Sequence, residues 1–179
     1  MNIWHDIDPN RIKPDDFTAV IEIPKGSSCK YELDKETGLI KLDRVLYSAT
    51  YYPANYGLIP LTYAEDNDPL DVLVLCEMSL VPLTLVESRP IGVIKMIDQG
   101  FIDEKIIAVC VSDPFFKNFN DLHELPDYTG NEIRHFFNVY KTLEGKETSV
   151  TSIEGKDEAI KIIKKDMEAY KEMMKRQGR

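Results

Sequence analysis

Residues 71 to 75 read Asp-Val-Leu-Val-Leu, so after one aspartate four consecutive side chains are apolar. A run of that kind has no polar face to offer solvent and reads as a buried strand. The residues just before it are the opposite in character. Glu65, Asp66, Asp68 and Asp71 crowd four carboxylates against the strand, and like charges held this close raise one another's pKa and resist burial together. The fold must bury the strand, and something must compensate the acids.

Length and composition bound what that fold is. At 179 residues and 43% hydrophobic the chain suits one domain, residues 1–179, around one sizeable core. Twenty-two basic against 31 acidic residues give a formal charge of −9, and no basic run is present to track a phosphate backbone. A nucleic-acid partner is not expected. The N-terminus lacks an apolar stretch of signal-peptide length, and no 18 consecutive residues are apolar, so the expectation is a soluble, cytoplasmic protein with no membrane partner. Three widely spaced cysteines, Cys29, Cys76 and Cys110, fit neither a disulfide framework nor a zinc site. They read as reduced thiols.

Strands come first and helices last. Alternation and turn signals predict strands at 17–23, 30–33, 40–47, 71–75, 83–97 and 105–111, with a bend near Pro90 and Gly92 in the long one. Together they suggest a small barrel or highly curved sheet. Helical spacing follows over 130–143, with Ile133, Phe136, Phe137, Tyr140 and Leu143 on one face, and over 156–175, with Ile160, Ile163, Met167, Tyr170 and Met174. Both helices are expected to pack on the barrel, the second keeping its lysines and glutamates in solvent.

The acidic residues fall into groups. In an extended segment Asp66 and Asp68 point the same way, while Pro69 re-aims the chain so that Asp71 enters the strand from a turn. Three converging carboxylates suit a hard cation such as Mg²⁺, which binds through one or two carboxylates, retained waters and phosphate oxygens. Asp98 and Asp103, expected on the loop between two strands, add a second acidic pair. Glu22 stands amid aliphatics, and Lys30 and Glu32 project to one side of their strand. Arg44, Lys105 and Lys141 occur singly and could supply charge for phosphate oxygens. The seven carboxylates Glu22, Glu32, Asp66, Asp68, Asp71, Asp98 and Asp103 outnumber the four cations by three. Such a cavity repels an anion unless divalent ions accompany it.

Other readings fare worse. Asp66, Asp68 and Glu77 match the first, third and twelfth positions of a calcium-binding helix–loop–helix, yet Leu70 replaces the fifth ligand and Asp71 the glycine. A strand also follows where a helix should. A single-stranded nucleic-acid barrel conflicts with the acidic balance. His5, His123 and His135 are isolated, which argues against an imidazole metal site.

The stretch EDNDPLDVLV resembles the Asp-x-Asp-Pro-x-Asp-Val signature of the soluble family I inorganic pyrophosphatases, and KYE, DRVLYSATYYPANYG, RPIGVIKMIDQGFIDEK and HFFNVYK resemble that family's other blocks in order. The length resembles the short bacterial type. The resemblance implies a mainly β fold with α, a small five-stranded OB-like β-barrel flanked by two α-helices. It implies Mg²⁺-dependent hydrolysis of pyrophosphate to two phosphates, with several ions per site and a homohexameric assembly. Asp66, Asp71 and Asp103 would hold metal, with Asp98 and Glu32 helping to bind the ions that arrive with substrate. Lys30, Arg44, Tyr56, Lys105, Tyr140 and Lys141 would bind phosphate, Glu22 and Tyr52 would support the network, and Asp68 would be the general base. One position departs from the family pattern. Gln99 stands where many members carry an acid after the residue matched by Asp98, which predicts weaker or altered binding of the outer metals.

Overall fold

The computed structural model describes residues 1–178. A short turn at Pro9–Arg11 leads into β1 (Ile12–Lys13) and β2 (Asp16–Ile23). The hairpin of β3 (Cys29–Leu33) and β4 (Ile40–Val45) comes next, then β5 (Asn55–Leu58), β6 (Asp71–Leu75), β7 (Leu85–Asp98) and β8 (Phe101–Cys110). Helix α1 (Asp127–Val139), strand β9 (Thr148–Gly155) and helix α2 (Lys156–Arg176) complete the fold.

Five strands close on themselves. The order β2-β5-β6-β8-β7 is sealed by pairing of β7 with β2, and only the β6–β8 pair is parallel. The expected five-stranded barrel with two flanking helices is therefore present. Closure removes the exposed edges that an open sheet of this size would leave. Strand β7 serves two partners along its length: Leu85–Ser88 pair with β2, and beyond the irregularity at Pro90–Gly92 the strand pairs with β9. The bend anticipated there is real.

Strand β6 explains its own composition. Val72, Leu73 and Val74 are fully buried. Val72 and Val74 pack in one apolar cluster with Ala159, Ile162 and Ile163 of α2. Leu73 and Leu75 pack in another with Ile133, Phe136 and Phe137 of α1. Protein thus covers both faces, and each such aliphatic side chain contributes about 1.5–3 kcal/mol by leaving water.

Several boundaries differ from the sequence reading. Strand β5 was not anticipated, because Asn55 and Gly57 read as turn residues; Gly57 is there because a Cβ would lie 1.9 Å from the carbonyl oxygen of Val20. Strand β9 was also missed, its Thr and Ser residues being typical of a partly exposed edge. Strand β8 starts at Phe101, so Asp98 and Asp103 belong to strands and only Gln99 and Gly100 form the turn. Both turn residues have positive φ, 50° and 87°, as a two-residue hairpin requires. Helix α1 ends at Val139, with Tyr140 its C-cap, and Leu143 is 67% exposed on a short 3-10 turn, Thr142–Glu144. In α2 the buried stripe is Ala159, Ile162, Ile163, Asp166 and Tyr170, rotated from the expected one, with Met167 only partly buried against the same cluster. Its charged face is also less uniformly solvated than expected. Asp166 is buried, and that burial pushes its carboxyl up to about 7 despite the adjacent Lys165.

Candidate active site

The ends of β2, β3, β6, β7 and β8 and the residues after α1 surround an open cavity of about 540 Å³. Nine carboxylates and five lysines line it. Of the residues selected from the sequence, Glu22, Lys30, Glu32, Tyr52, Tyr56, Asp66, Asp68, Asp71, Asp98, Asp103, Lys105, Tyr140 and Lys141 meet there. Arg44 is set back from the lining.

Lys105 is the centre of the arrangement. The parallel register places it opposite Asp71, and its ammonium donates to Asp71 Oδ2 at 2.7 Å, to Tyr56 Oη at 2.8 Å and to Asp103 at 3.0 Å. The side chain is 3% exposed and lies over the rings of Tyr56 and Phe137. Burial alone would discharge a lysine. Asp103 and Asp71 more than offset that, and the ammonium is held charged well above its ordinary range. Asp103 in turn is raised by burial, opposed by Lys105 and reinforced by Asp71.

The acidic loop is a turn rather than an extended segment. Ala64 N donates to the Asp68 carbonyl, Asn67 N returns to the Ala64 carbonyl, and Asn67 has φ 67°. Asp66 Oδ1 accepts from Asp68 N at 3.1 Å, so the Asp66 side chain folds back onto the loop backbone instead of projecting in parallel with Asp68. Although Asp66 stands at the rim, the surrounding protein and Asp71 push its carboxyl up to about 6. Asp68 is paired with Lys35, whose ammonium also donates to the Asn67 carbonyl at 3.2 Å. That lysine extends from the β3–β4 hairpin and joins it to the loop.

Across the cavity, Lys30 lies 3.1 Å from Glu32 Oε2 and 2.8 Å from Asp43 Oδ2. Asp98 at the end of β7 forms a close ion pair with Lys141, which lies over the Tyr140 ring. Glu22 is 6% exposed and accepts from Leu33 N at 2.8 Å, fastening β3 to the barrel. Burial, with Asp71 nearby, pushes its carboxyl up to about 8. Tyr52 packs between Tyr56 and Phe136, and burial moves the Tyr52, Tyr56 and Tyr140 hydroxyls above their ordinary range.

Two kinds of charge are therefore concentrated here. The carboxylates exceed the cations, and burial first, with neighbouring carboxylates adding to it, raises Asp66, Asp103 and Glu22. Hard oxygen donors short of positive charge are a donor set suited to Mg²⁺. Lys105 stands between Asp71 and Asp103; among the described residues no three Asp, Glu, His or Cys side chains converge as a ready-made cage. Sequence reasoning did not select Lys35, Asp43 or Glu144. Lys35 and Asp43 lie within or beside the recognised blocks but looked like turn and strand surface, and Glu144 follows the last block.

A family model for inorganic pyrophosphatase matches residues 19–171. The chain belongs to the inorganic pyrophosphatase family. Among curated members of that family it is 49% identical over 169 residues to soluble inorganic pyrophosphatase 1 of Arabidopsis thaliana, covering 94% of this chain and 80% of the relative. It is 51% identical over 167 residues to the soluble inorganic pyrophosphatase of Oryza sativa, with 93% and 78% covered. The inorganic pyrophosphatase structure from Thermus thermophilus matches with a TM-score of 0.91 at 39% identity, covering 96% of this chain and 99% of that one. The Helicobacter pylori enzyme gives 0.88 at 41%, with 93% and 99% covered. Family membership thus agrees with the five ordered sequence blocks, and the near-complete coverage of the bacterial chains agrees with the short type.

Proposed function

We propose that this chain hydrolyses inorganic pyrophosphate to two phosphates, with Mg²⁺ as cofactor and Asp68 as general base. The observation that carries the reading is the meeting of phosphate-binding cations and cation-binding carboxylates in one cavity of a pyrophosphatase-family fold. Asp66, Asp71 and Asp103 would hold the metal, with Asp98 and Glu32 available to ions arriving with substrate. When bound, such ions neutralise phosphate oxygens and make a nearby water more acidic.

The protein's own contribution is positioning and proton movement. Lys30, Lys105 and Lys141 place three ammonium groups around the cavity, and Tyr56 and Tyr140 add hydroxyl donors whose raised pKa keeps them protonated. Arg44 stands behind them on β4, opposite Lys30. These groups grip the phosphate oxygens and offset charge developing on the leaving phosphate. Asp68, half-exposed at the mouth, accepts a proton as water attacks phosphorus. A new P–O bond forms, the bridging P–O bond breaks, and the electron pair leaves with the departing phosphate. Glu22 and Tyr52 keep the floor of the cavity in place.

The reading is tested by phosphate release from pyrophosphate with Mg²⁺, with EDTA, and with Asp68→Asn. Release is expected only from the wild type with Mg²⁺, and equal release in all three would overturn it. The family also motivates a homohexamer. A solution mass near six times 20.6 kDa is the expected result.

A further inference from the structure

Arg44 occupies an unsettled position. Its Nη1 donates to Asp43 Oδ2 at 2.6 Å, and its Nε lies 2.9 Å from Glu144 Oε1. The second contact is ionic but poorly directed, since Nε, Nη2 and Glu144 Oε2 are all buried without a hydrogen-bond partner. Buried polar atoms ordinarily find partners, and an arginine facing a carboxylate ordinarily forms a two-pronged fork. Here the fork is incomplete, leaving Nη2 as a buried donor with no acceptor.

A chain of ion pairs links this arginine to the cavity wall. Arg44 pairs with Lys30 across β3–β4, and Asp43 Oδ2 accepts from both cations. The charges alternate along one line, Glu32, Lys30, Asp43, Arg44, Glu144. Glu144, with a side chain only 6% exposed, ends the 3-10 turn that begins directly after Lys141. One short segment therefore carries both Lys141 and the carboxylate beside Arg44. Two of the three guanidinium nitrogens face carboxylates, while Nη2 and Glu144 Oε2 both stay buried without a hydrogen-bond partner.

We infer that Glu144 is a positioning residue for pyrophosphate binding, holding the Nε side of Arg44 so that the guanidinium keeps its place behind Asp43 and the cavity-lining Lys30. The inference rests on the assignment of Arg44 to phosphate. Glu144 itself touches no substrate, so its effect passes through Arg44 and belongs to substrate binding. A carboxylate that only tied the turn to β4 would affect stability and leave substrate affinity alone.

The test is a double-mutant cycle read as KM for pyrophosphate at saturating Mg²⁺, with melting temperature measured alongside. Glu144→Gln, which keeps the shape and removes the charge, is expected to raise KM roughly tenfold while changing kcat much less. Arg44→Ala is expected to raise KM at least as far, and adding Glu144→Gln to it should do nothing more. An unchanged KM in Glu144→Gln with a lowered melting temperature would reduce Glu144 to a structural tie and overturn the inference. Effects that multiply in the double variant would overturn it as well. If Arg44→Ala alone leaves KM unchanged, the assignment of Arg44 to phosphate fails, an outcome distinct from failure of Glu144.

Discussion

Lys105 and Asp71 face one another across the barrel's one parallel strand pair, with the ammonium 2.7 Å from the carboxylate and nearly excluded from solvent. A buried ion pair is costly to break from one side, because the surviving charge is left unpaired. Lys105→Met would leave Asp71 and Asp103 facing each other. Unfolding in EDTA should show a loss of about 3–5 kcal/mol. Because Mg²⁺ offers the same carboxylates an alternative countercharge, added metal should recover much of that loss. Equal destabilisation with and without Mg²⁺ would show that these carboxylates are not its ligands. Activity should fall by roughly 10²–10³, the usual cost of removing one donor to developing charge.

Glu22 gives the metal-free protein a pH dependence of definite sign. Its carboxyl is pushed up to about 8 in the fold, against an ordinary value of 4.5. Between those values the folded state binds the extra proton, so this group's contribution to stability is fully present below the unfolded pKa and is lost as pH rises through the folded one. Urea midpoints in EDTA should therefore fall from pH 5 to pH 8.5. Glu22→Gln can still accept from Leu33 N and should flatten that slope, by an amount on the order of a few kcal/mol at the alkaline end. A variant with the wild-type slope would rule Glu22 out as its source.

The barrel was legible because its decisive strands are unambiguous, whereas the elements that complete it are not. Val72 to Leu75 admits no amphipathic placement, and the structure covers both faces. Asn55–Leu58 is short and contains a glycine, so local preference favours a turn; tertiary closure makes it a strand. At the site, the carboxylates and lysines could be listed because charged residues beside buried strands are conspicuous. Their pairing could not be. That Asp66 turns back on Asp68 depends on the left-handed backbone at Asn67. That Arg44 faces Glu144 depends on a helix ending at Val139, where periodicity alone continues to Leu143.

Gly57 offers a direct test of that closure. A Cβ there would lie 1.9 Å from the Val20 carbonyl oxygen and 2.9 Å from the Ile21 Cα, both backbone atoms of the paired strand. Neither can rotate aside. Gly57→Ala should therefore cost more than about 4 kcal/mol, in the range reserved for a breached core or strained backbone. Soluble protein within about 1 kcal/mol of wild type by urea unfolding would mean that β2 and β5 are not this close.

Gln99 lets the charge of the outer metal region be tuned without disturbing the barrel. It sits with φ 50° in the β7–β8 turn, its N donates to the Glu147 carbonyl at 3.0 Å, and its amide lies 3.4 Å from Asp98 Oδ1. Its backbone role is independent of the side chain, so Gln99→Glu should fold normally. The new carboxylate would stand beside Asp98, which already holds Lys141. Two adjacent acids sharing one lysine gain more from a divalent ion than one does, by the same charge argument that applies throughout the cavity. Titration of the substrate-free protein with Mg²⁺ should show tighter binding in Gln99→Glu, by roughly threefold to tenfold at low ionic strength where screening is weakest. The gain should shrink as salt is raised. Identical affinities at low salt would mean that the side chain at position 99 does not share a cation with Asp98, and that its departure from the family pattern leaves metal binding untouched.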